Sequence, residues 1–350
     1  MIYIHIPFCK THCLYCGFYS ELLRDTQGSE AFVNALLGEI ECERVCSFAN
    51  DTLYVGGGTP SVLTVSQLQR IVEALGKGIT PSFDEFTLEV NPDDIVRGGI
   101  AYADQLRKLG VNRISMGVQS FEDAVLRQMG RRHRSADVAT AMEILRDSGF
   151  DNVSIDLIFG FVPKIDIALI SERLVGLHPE HVSCYQLSVE EGSPLEKMME
   201  RDLFQMPSDE QCAGQYEDLC SLLHTLGYEH YEISNWALPS RRARHNGGYW
   251  NHTPYLGLGP GAHSLFVSST PEGAVYLRRW NNPDLAAYIR AAAAGDFSSV
   301  RGCEQLTDEQ IRDERIMLGL RTVEGIDGES IPEDKWFIAD SLITDMICKR

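Results

Sequence analysis

Six short, strand-like runs recur over the first 190 residues, at 1–6, 51–55, 85–91, 111–118, 152–158 and 181–188, and helical patterns lie between and after them. The spacing predicts helices over 30–47, 65–77, 99–109, 135–148, 166–177 and 208–226. In the second of these, Leu68, Ile71, Val72 and Leu75 share one face, as a helix with a single buried stripe requires. Ser135 stands where a side chain would cap its helix and Gly149 where one would end it. Ser208-x-x-Gln211 has the form of a capping box. Strand alternating with helix requires parallel strands joined by right-handed crossovers. Six such units predict an α/β fold, an incomplete (β/α)6 TIM-like barrel. In parallel barrels chemistry collects at the carboxyl ends of the strands, and the unusual motifs of this chain fall there.

The first motif follows the first strand, in MIYIHIPFCKTHCLYCGFYS. Cys9, Cys13 and Cys16 have C-x3-C-x2-C spacing. Thiolates are the usual ligands of iron–sulfur clusters, and about four hold a [4Fe–4S] cube. Three leave one iron for a small molecule. Zinc on the same thiolates with His5 or His12 is the alternative, but zinc sites usually add a second Cys or His pair further along, and no C-x2-C partner pair occurs. After the second strand comes Gly56-Gly57-Gly58-Thr59-Pro60, a run that lets backbone approach a ligand or turn tightly. The third strand ends in Glu89-Val90-Asn91-Pro92, where a carboxylate among apolar neighbours needs a partner, from a ligand or a barrel ion pair. The fourth ends at Gln119, ahead of Gly130-Arg131-Arg132-His133. The fifth holds Asp156 between Ile155 and Leu157, and the sixth brings Ser188 and Glu190 to the rim.

The three cysteines in YIHIPFC…CLYCGF resemble the hallmark of the radical SAM superfamily. That resemblance implies a [4Fe–4S] cluster on Cys9, Cys13 and Cys16. It also implies S-adenosyl-L-methionine (SAM) chelated by the open iron, where an electron cleaves the sulfonium to a 5′-deoxyadenosyl radical. The same resemblance assigns SAM contacts to Tyr3, Tyr15, Gly57, Gly58, Thr59, Glu89, Gln119, Arg131, Asp156 and Ser188. Simple packing is the alternative for Tyr15, and Arg132 and His133 are expected at the surface or behind the site. The segment FGFVPKID departs from the Gly-Leu-Pro-Gly-Gln type of relatives, which bears on substrate or partner contacts. Within the superfamily the motifs are similar to the branch holding the oxygen-independent coproporphyrinogen III oxidases and the haem chaperones. The oxidases carry a further Cys where this chain has Phe18, and an extension ahead of the cluster motif where this chain has only eight residues.

Beyond residue 227 the alternation stops, so residues 1–227 are expected to form the barrel and 228–350 a smaller α+β region. The stretch Arg241-Arg242-Ala243-Arg244-His245-Asn246-Gly247-Gly248-Tyr249-Trp250 fits the H-N-x-x-Y-W pattern of the chaperones. The resemblance implies haem as cargo, with His245 as an iron ligand, the arginines on haem propionates, and Tyr249 and Trp250 on the porphyrin face. A His-Asn pair that ties a loop to the barrel is the other reading; His252 and His263 are lesser candidates. The segment GLGPGAHS resembles one that closes over the SAM site. A helix over 283–295 ending at Gly295, a capping box at Thr307-x-x-Gln310 and one further amphipathic helix complete a tail shorter than relatives usually carry.

A net charge of −19 argues against nucleic acid as the main partner, because phosphate binding needs a basic face. It disfavours standing attachment to acidic lipid and leaves transient docking to a membrane-bound acceptor open. Ten cysteines, no secretory pattern and no apolar run of about 18 residues point to a cytoplasmic protein. Cys42 and Cys46 read as small apolar fillers. The function expected from the resemblance is a haem chaperone that passes haem to apo-haem proteins; the alternative is an oxygen-independent coproporphyrinogen III oxidase.

Overall fold

The computed structural model describes residues 1–43, 51–76, 82–271 and 273–348. Strand β1 (Ile2–Ile6) leads into the cysteine loop, which carries the two-residue strands β2 (Phe8–Cys9) and β3 (Glu21–Leu22). The chain continues through α1 (Thr26–Cys42), β4 (Thr52–Gly57), α2 (Val65–Leu75), β5 (Glu85–Val90) and α3 (Pro92–Leu109). It then forms β6 (Arg113–Gln119), α4 (Asp123–Gln128), α5 (Ser135–Asp147), β7 (Val153–Phe159) and α6 (Ile167–Leu177). β8 (His181–Gln186), α7 (Pro194–Met199) and α8 (Asp209–Thr225) follow. The six long strands lie in sequence order, β1-β4-β5-β6-β7-β8, all parallel. This is the singly wound partial barrel that the strand–helix rhythm predicts.

Alternation along each strand sorts the side chains. Ile2, Ile4, Ile6, Leu53, Val55, Leu88, Ile114, Met116, Ile155 and Val182 are buried in one core with the helices. The alternate positions face the lumen and are polar: Tyr54, Glu89, Arg113, Ser115, Asp156 and Ser183 among them. A barrel filled with its own branched aliphatic residues needs nothing else inside, whereas a lumen lined with hydroxyls and charges is built around contents.

Local signals place the helix ends. Asp25 caps α1 by accepting from the Gly28 amide at 2.9 Å, and Thr64 with Gln67 forms a capping box on α2. The expected box of Ser208 and Gln211 opens α8, that of Thr307 and Gln310 opens a later helix, and Gly295 ends another at φ 67°. Ser135 is not a cap. Its amide donates to Asp123 Oδ1 at 2.8 Å, so an acid of α4 fixes the turn and Ser135 becomes the first helical residue. Helix α3 starts at Pro92, seven residues before the predicted 99, because proline suits the first helical turn; Gly99 at φ 63° interrupts it.

The expected boundary at 227 falls inside a sheet. β9 (Glu229–Glu232) and β10 (Asn235–Ala237) extend the β8 edge antiparallel. The chain then passes through α9 (Arg244–Trp250) to β11 (Leu256–Leu258), which pairs parallel with β1. Residues up to 258 therefore border both edges of the arc. A separate antiparallel sheet follows: β12 (His263–Thr270), β13 (Gly273–Asn281) and, after α10 (Leu285–Ala294), β14 (Arg301–Gln305). Helices α11 (Asp308–Gly319) and α12 (Ala339–Cys348) end the described chain. Glu39 of α1, 0% exposed, joins this region to the barrel. It accepts from the Gly259 amide at 2.8 Å, Asn281 Nδ2 at 2.8 Å, Tyr288 OH at 2.6 Å and Arg301 Nη2 at 2.7 Å. Cys42 is exposed and not a core filler; Cys46 lies outside the described residues.

Candidate functional site

The loop between β1 and α1 lies over the carboxyl ends of the strands and is pinned from two sides. The Leu14 amide donates to Met129 O at 3.2 Å, and the Leu195 amide donates to Leu14 O at 3.0 Å. Cys9, Cys13 and Cys16 are thereby held on the wall of a cavity of about 540 Å³ that runs down into the lumen. Arg131 Nη1 donates to Cys13 Sγ at 3.3 Å, and Thr59 Oγ1 lies 3.5 Å from Cys9 Sγ. All three thiols are free. Among the described residues no three His, Cys, Asp or Glu side chains converge on one ion. His5 has both ring nitrogens engaged, by Tyr3 OH at 3.0 Å and Tyr19 O at 2.8 Å, so it is not poised as a zinc ligand.

The glycine run at the end of β4 does two jobs. The Gly58 and Thr59 amides donate to Ile6 O at 2.8 Å and Phe8 O at 2.7 Å, which fixes the run to the cysteine loop. A Cβ on Gly58 would stand 2.6 Å from Phe8 O, and one on Gly56 would stand 2.7 Å from Glu89 Oε1. Gly56 thus makes room for the Glu89 carboxylate, which accepts from Tyr54 OH at 2.8 Å. Burial pushes Glu89 up to about 7. Two places along the barrel, Asp156 accepts from Ser115 Oγ at 3.0 Å and also from Ser183 and Ser154; burial raises it as well. Neither acid has a cationic side chain within ion-pair distance among the described residues. Arg131 Nη2 is spent on Gly117 O at 2.6 Å and on Asn91 Oδ1, while its buried Nε has no partner. Gln119 ends β6 in the left-handed region at φ 67°, beside a register shift, the kind of strain that clusters at functional sites.

The radical SAM superfamily profile matches residues 3–165. The heme chaperone HemW of Bacillus subtilis is 34% identical, with 99% of this chain and 89% of that protein covered. The heme chaperone HemW of Lactococcus lactis is 33% identical over 93% and 82%. The chain belongs to the HemW family of radical SAM proteins. Its structure is also similar to the coproporphyrinogen III oxidase HemN of Escherichia coli, at TM-score 0.73 and 25% identity, covering 92% of this chain and 75% of that one.

The residues present suit the two groups that the radical SAM family implies. Three thiols from one loop can each take a different iron of a cube. Two buried acids without a cation suit an ammonium or sulfonium, and the orphaned Arg131 Nε suits a carboxylate. The cavity brings together Tyr15, Gly57, Gly58, Thr59, Glu89, Gln119, Arg131, Asp156 and Ser188 with the cysteines. Tyr3 is not among its lining residues; its hydroxyl is used by His5. Ser188 Oγ donates to Glu190 Oε1 at 2.6 Å on the rim. The segment 257–264 does not line the cavity either, because β11 docks on β1 and the Gly259 amide is taken by Glu39.

The HemW-type stretch His245–Trp250 corrects a larger expectation. It forms α9 under the opposite, amino-terminal end of the barrel. Glu85 Oε2 and Oε1 accept from the Arg244 and His245 amides at 2.8 and 2.9 Å. His245 is 1% exposed, with Nδ1 2.8 Å from Thr52 Oγ1 and Nε2 3.0 Å from Tyr249 OH. Burial pushes its imidazole down to about 3. An imidazole with both nitrogens bonded inside a packed floor has no lone pair to offer haem iron, and His245 ties the loop to the barrel instead. The three arginines are likewise engaged: Arg241 with Asp151 at 3.3 Å, Arg242 with Glu324 at 2.7 Å, Arg244 with Asp84 at 3.1 Å. His252 Nε2 bonds Glu314 at 3.0 Å, and the exposed His263 stacks on Trp280.

Tyr54, Arg113, Ser115, Ser183 and Tyr185, which sequence reasoning passed over, and Asn91 and Asn246, which it did not assign to this site, also line the cavity. For most of them a signal existed: polar residues at every second place of otherwise apolar strands. Asn246 stood in the H-N-x-x-Y-W pattern, but only the fold brings α9 under the lumen.

Proposed function

We propose that this chain is a haem chaperone of the radical SAM type, which binds haem and delivers it to apo-haem proteins. The observation that carries this reading is a three-thiol loop over a polar barrel lumen, in a chain a third identical, over nearly its whole length, to proteins named heme chaperones. Cys9, Cys13 and Cys16 would hold the [4Fe–4S] cluster. Glu89, Asp156, Gln119, Arg131, Tyr15, Gly57, Gly58, Thr59 and Ser188 would hold SAM. Once bound, cluster and SAM supply a one-electron route to sulfonium cleavage. The chain's own part is to orient SAM by Glu89 and Asp156, to balance its carboxylate with Arg131, and to keep water from beneath through the α9 floor. Residues 1–227 supply most of this site, and 228–350 add Asn246 and close and brace it. No helix among the described residues is long and apolar enough to cross a membrane.

The test is anaerobic reconstitution of the cluster, followed by haem in one arm and coproporphyrinogen III with SAM and reductant in the other. Growth of a haem band and transfer to an apo-haem acceptor, without porphyrinogen turnover, is expected. Formation of protoporphyrinogen would overturn the reading in favour of the oxidase.

A further inference from the structure

Of the four Lys and Arg side chains that line the cavity, two are ion-paired, one is bonded to a thiol and neutral oxygens, and one is left. Lys10 is matched with Asp94 at 2.6 Å and Arg132 with Asp93 at 2.8 Å. Arg131 is committed to Cys13 Sγ, Asn91 and Gly117 O. Arg113 remains. It is 2% exposed and lines the cavity. Among the described residues it has no carboxylate within ion-pair distance; Nη1 makes one long contact, 3.5 Å to Thr87 Oγ1, and Nε has no partner. A guanidinium does not lose its charge, and an unmatched buried charge is strongly unfavourable.

The strand register shows what matches it. Arg113 stands opposite Thr87, while Glu89 stands opposite Ser115, one inward-facing layer further up. Asp156 stands opposite Gly117 and Ser183, another step toward the mouth. Two carboxylates without cations therefore sit directly above one cation without a carboxylate. Below Arg113 lies α9, fastened to Glu85 and Thr52 at the amino ends of β5 and β4. The Arg113 charge acts on both acids above it, more strongly between buried groups than it would in bulk water. Burial raises both acids and the Arg113 charge opposes that rise; with both ionised, Glu89, Asp156 and Arg113 together carry one net negative charge. SAM, with a sulfonium, an ammonium and a carboxylate, carries one net positive charge.

We propose that Arg113 is a positioning residue for SAM: from one layer below Glu89 and two below Asp156, its guanidinium is the counter-charge that lets the two stand together as anionic acceptors. This rests on the reading of the cavity as the SAM site. The test is SAM binding to cluster-loaded protein by equilibrium dialysis, with iron and sulfide content measured alongside. Arg113→Met is expected to weaken SAM by at least about tenfold and Arg113→Lys by no more than about threefold, with cluster content unchanged. In a Glu89→Gln background the Arg113→Met loss is expected to shrink markedly, since one of the charges it balances has gone. If Arg113→Met alone fails to fold, the double variant, which removes opposite charges, and Arg113→Lys still decide the matter. Wild-type affinity in Arg113→Met would overturn the proposal, and so would a Lys variant as poor as Met with no coupling to Glu89. Absence of SAM binding in the wild type would instead overturn the reading of the cavity.

Discussion

Replacing His245 with alanine separates a structural floor from a haem ligand. The substitution removes bonds to Thr52 Oγ1 at 2.8 Å and Tyr249 OH at 3.0 Å, each worth about 1 kcal/mol net and more where the hydroxyl left behind is buried. It also empties the space where the ring packs against Tyr54 and Tyr249, both at 5.2 Å between centroids, a loss of roughly 2 kcal/mol or more. The expected destabilisation is about 4 kcal/mol at neutral pH. With an unfolding entropy of about 2.1 cal/mol/K per residue, a chain of this length should melt lower by roughly 5 °C. The assay is a thermal melt followed by circular dichroism, beside a haem titration followed in the Soret band at a temperature where both proteins are folded. Haem affinity should be unchanged. A variant that melts like wild type yet no longer binds haem would refute the argument, because it would mean that the ring reaches the cargo.

The same histidine makes a pH prediction. Its folded value is held near about 3 by burial, against about 6.5 in the unfolded chain, so the unfolded state takes up a proton below 6.5 that the folded state refuses. His245 therefore costs stability as pH falls from 6.5 toward 3, by about 1.4 kcal/mol per unit, and the penalty of His245→Ala should shrink by about 2 kcal/mol between pH 7 and pH 5. Urea midpoints at the two pH values measure this, and a penalty independent of pH would contradict it. Gly56→Ala should drive a methyl to 2.7 Å from Glu89 Oε1 and break the Tyr54–Glu89 bond. SAM affinity is expected to fall about tenfold with cluster iron unchanged, as measured by dialysis and iron content.

Much of the cavity was legible because its chemistry is local. The cysteine triplet, the glycine run, Glu89 and Asp156 each interrupt an apolar strand or follow its end, and a polar residue in such a place needs a reason on the spot. The helix boundaries were legible where a side chain caps its own helix, as at Ser208 and Thr307. They were misread where the cap is supplied from elsewhere, as at Ser135, whose turn is set by Asp123. Tyr3 shows the limit of position alone: it lies on the expected strand, but its hydroxyl turns to His5.

By itself the sequence determined the strand–helix alternation, the parallel barrel and the three thiolates at its mouth, because periodicity and spacing act over a few residues. Only the tertiary structure decided that His245 is a floor and not a ligand, that Arg113 faces two acids, and that residues beyond 227 complete the barrel sheet. Those facts depend on which strands become neighbours and which end of the lumen a helix covers. Such contacts join residues about 160 positions apart, as Glu85 and His245 are, and no local pattern encodes them.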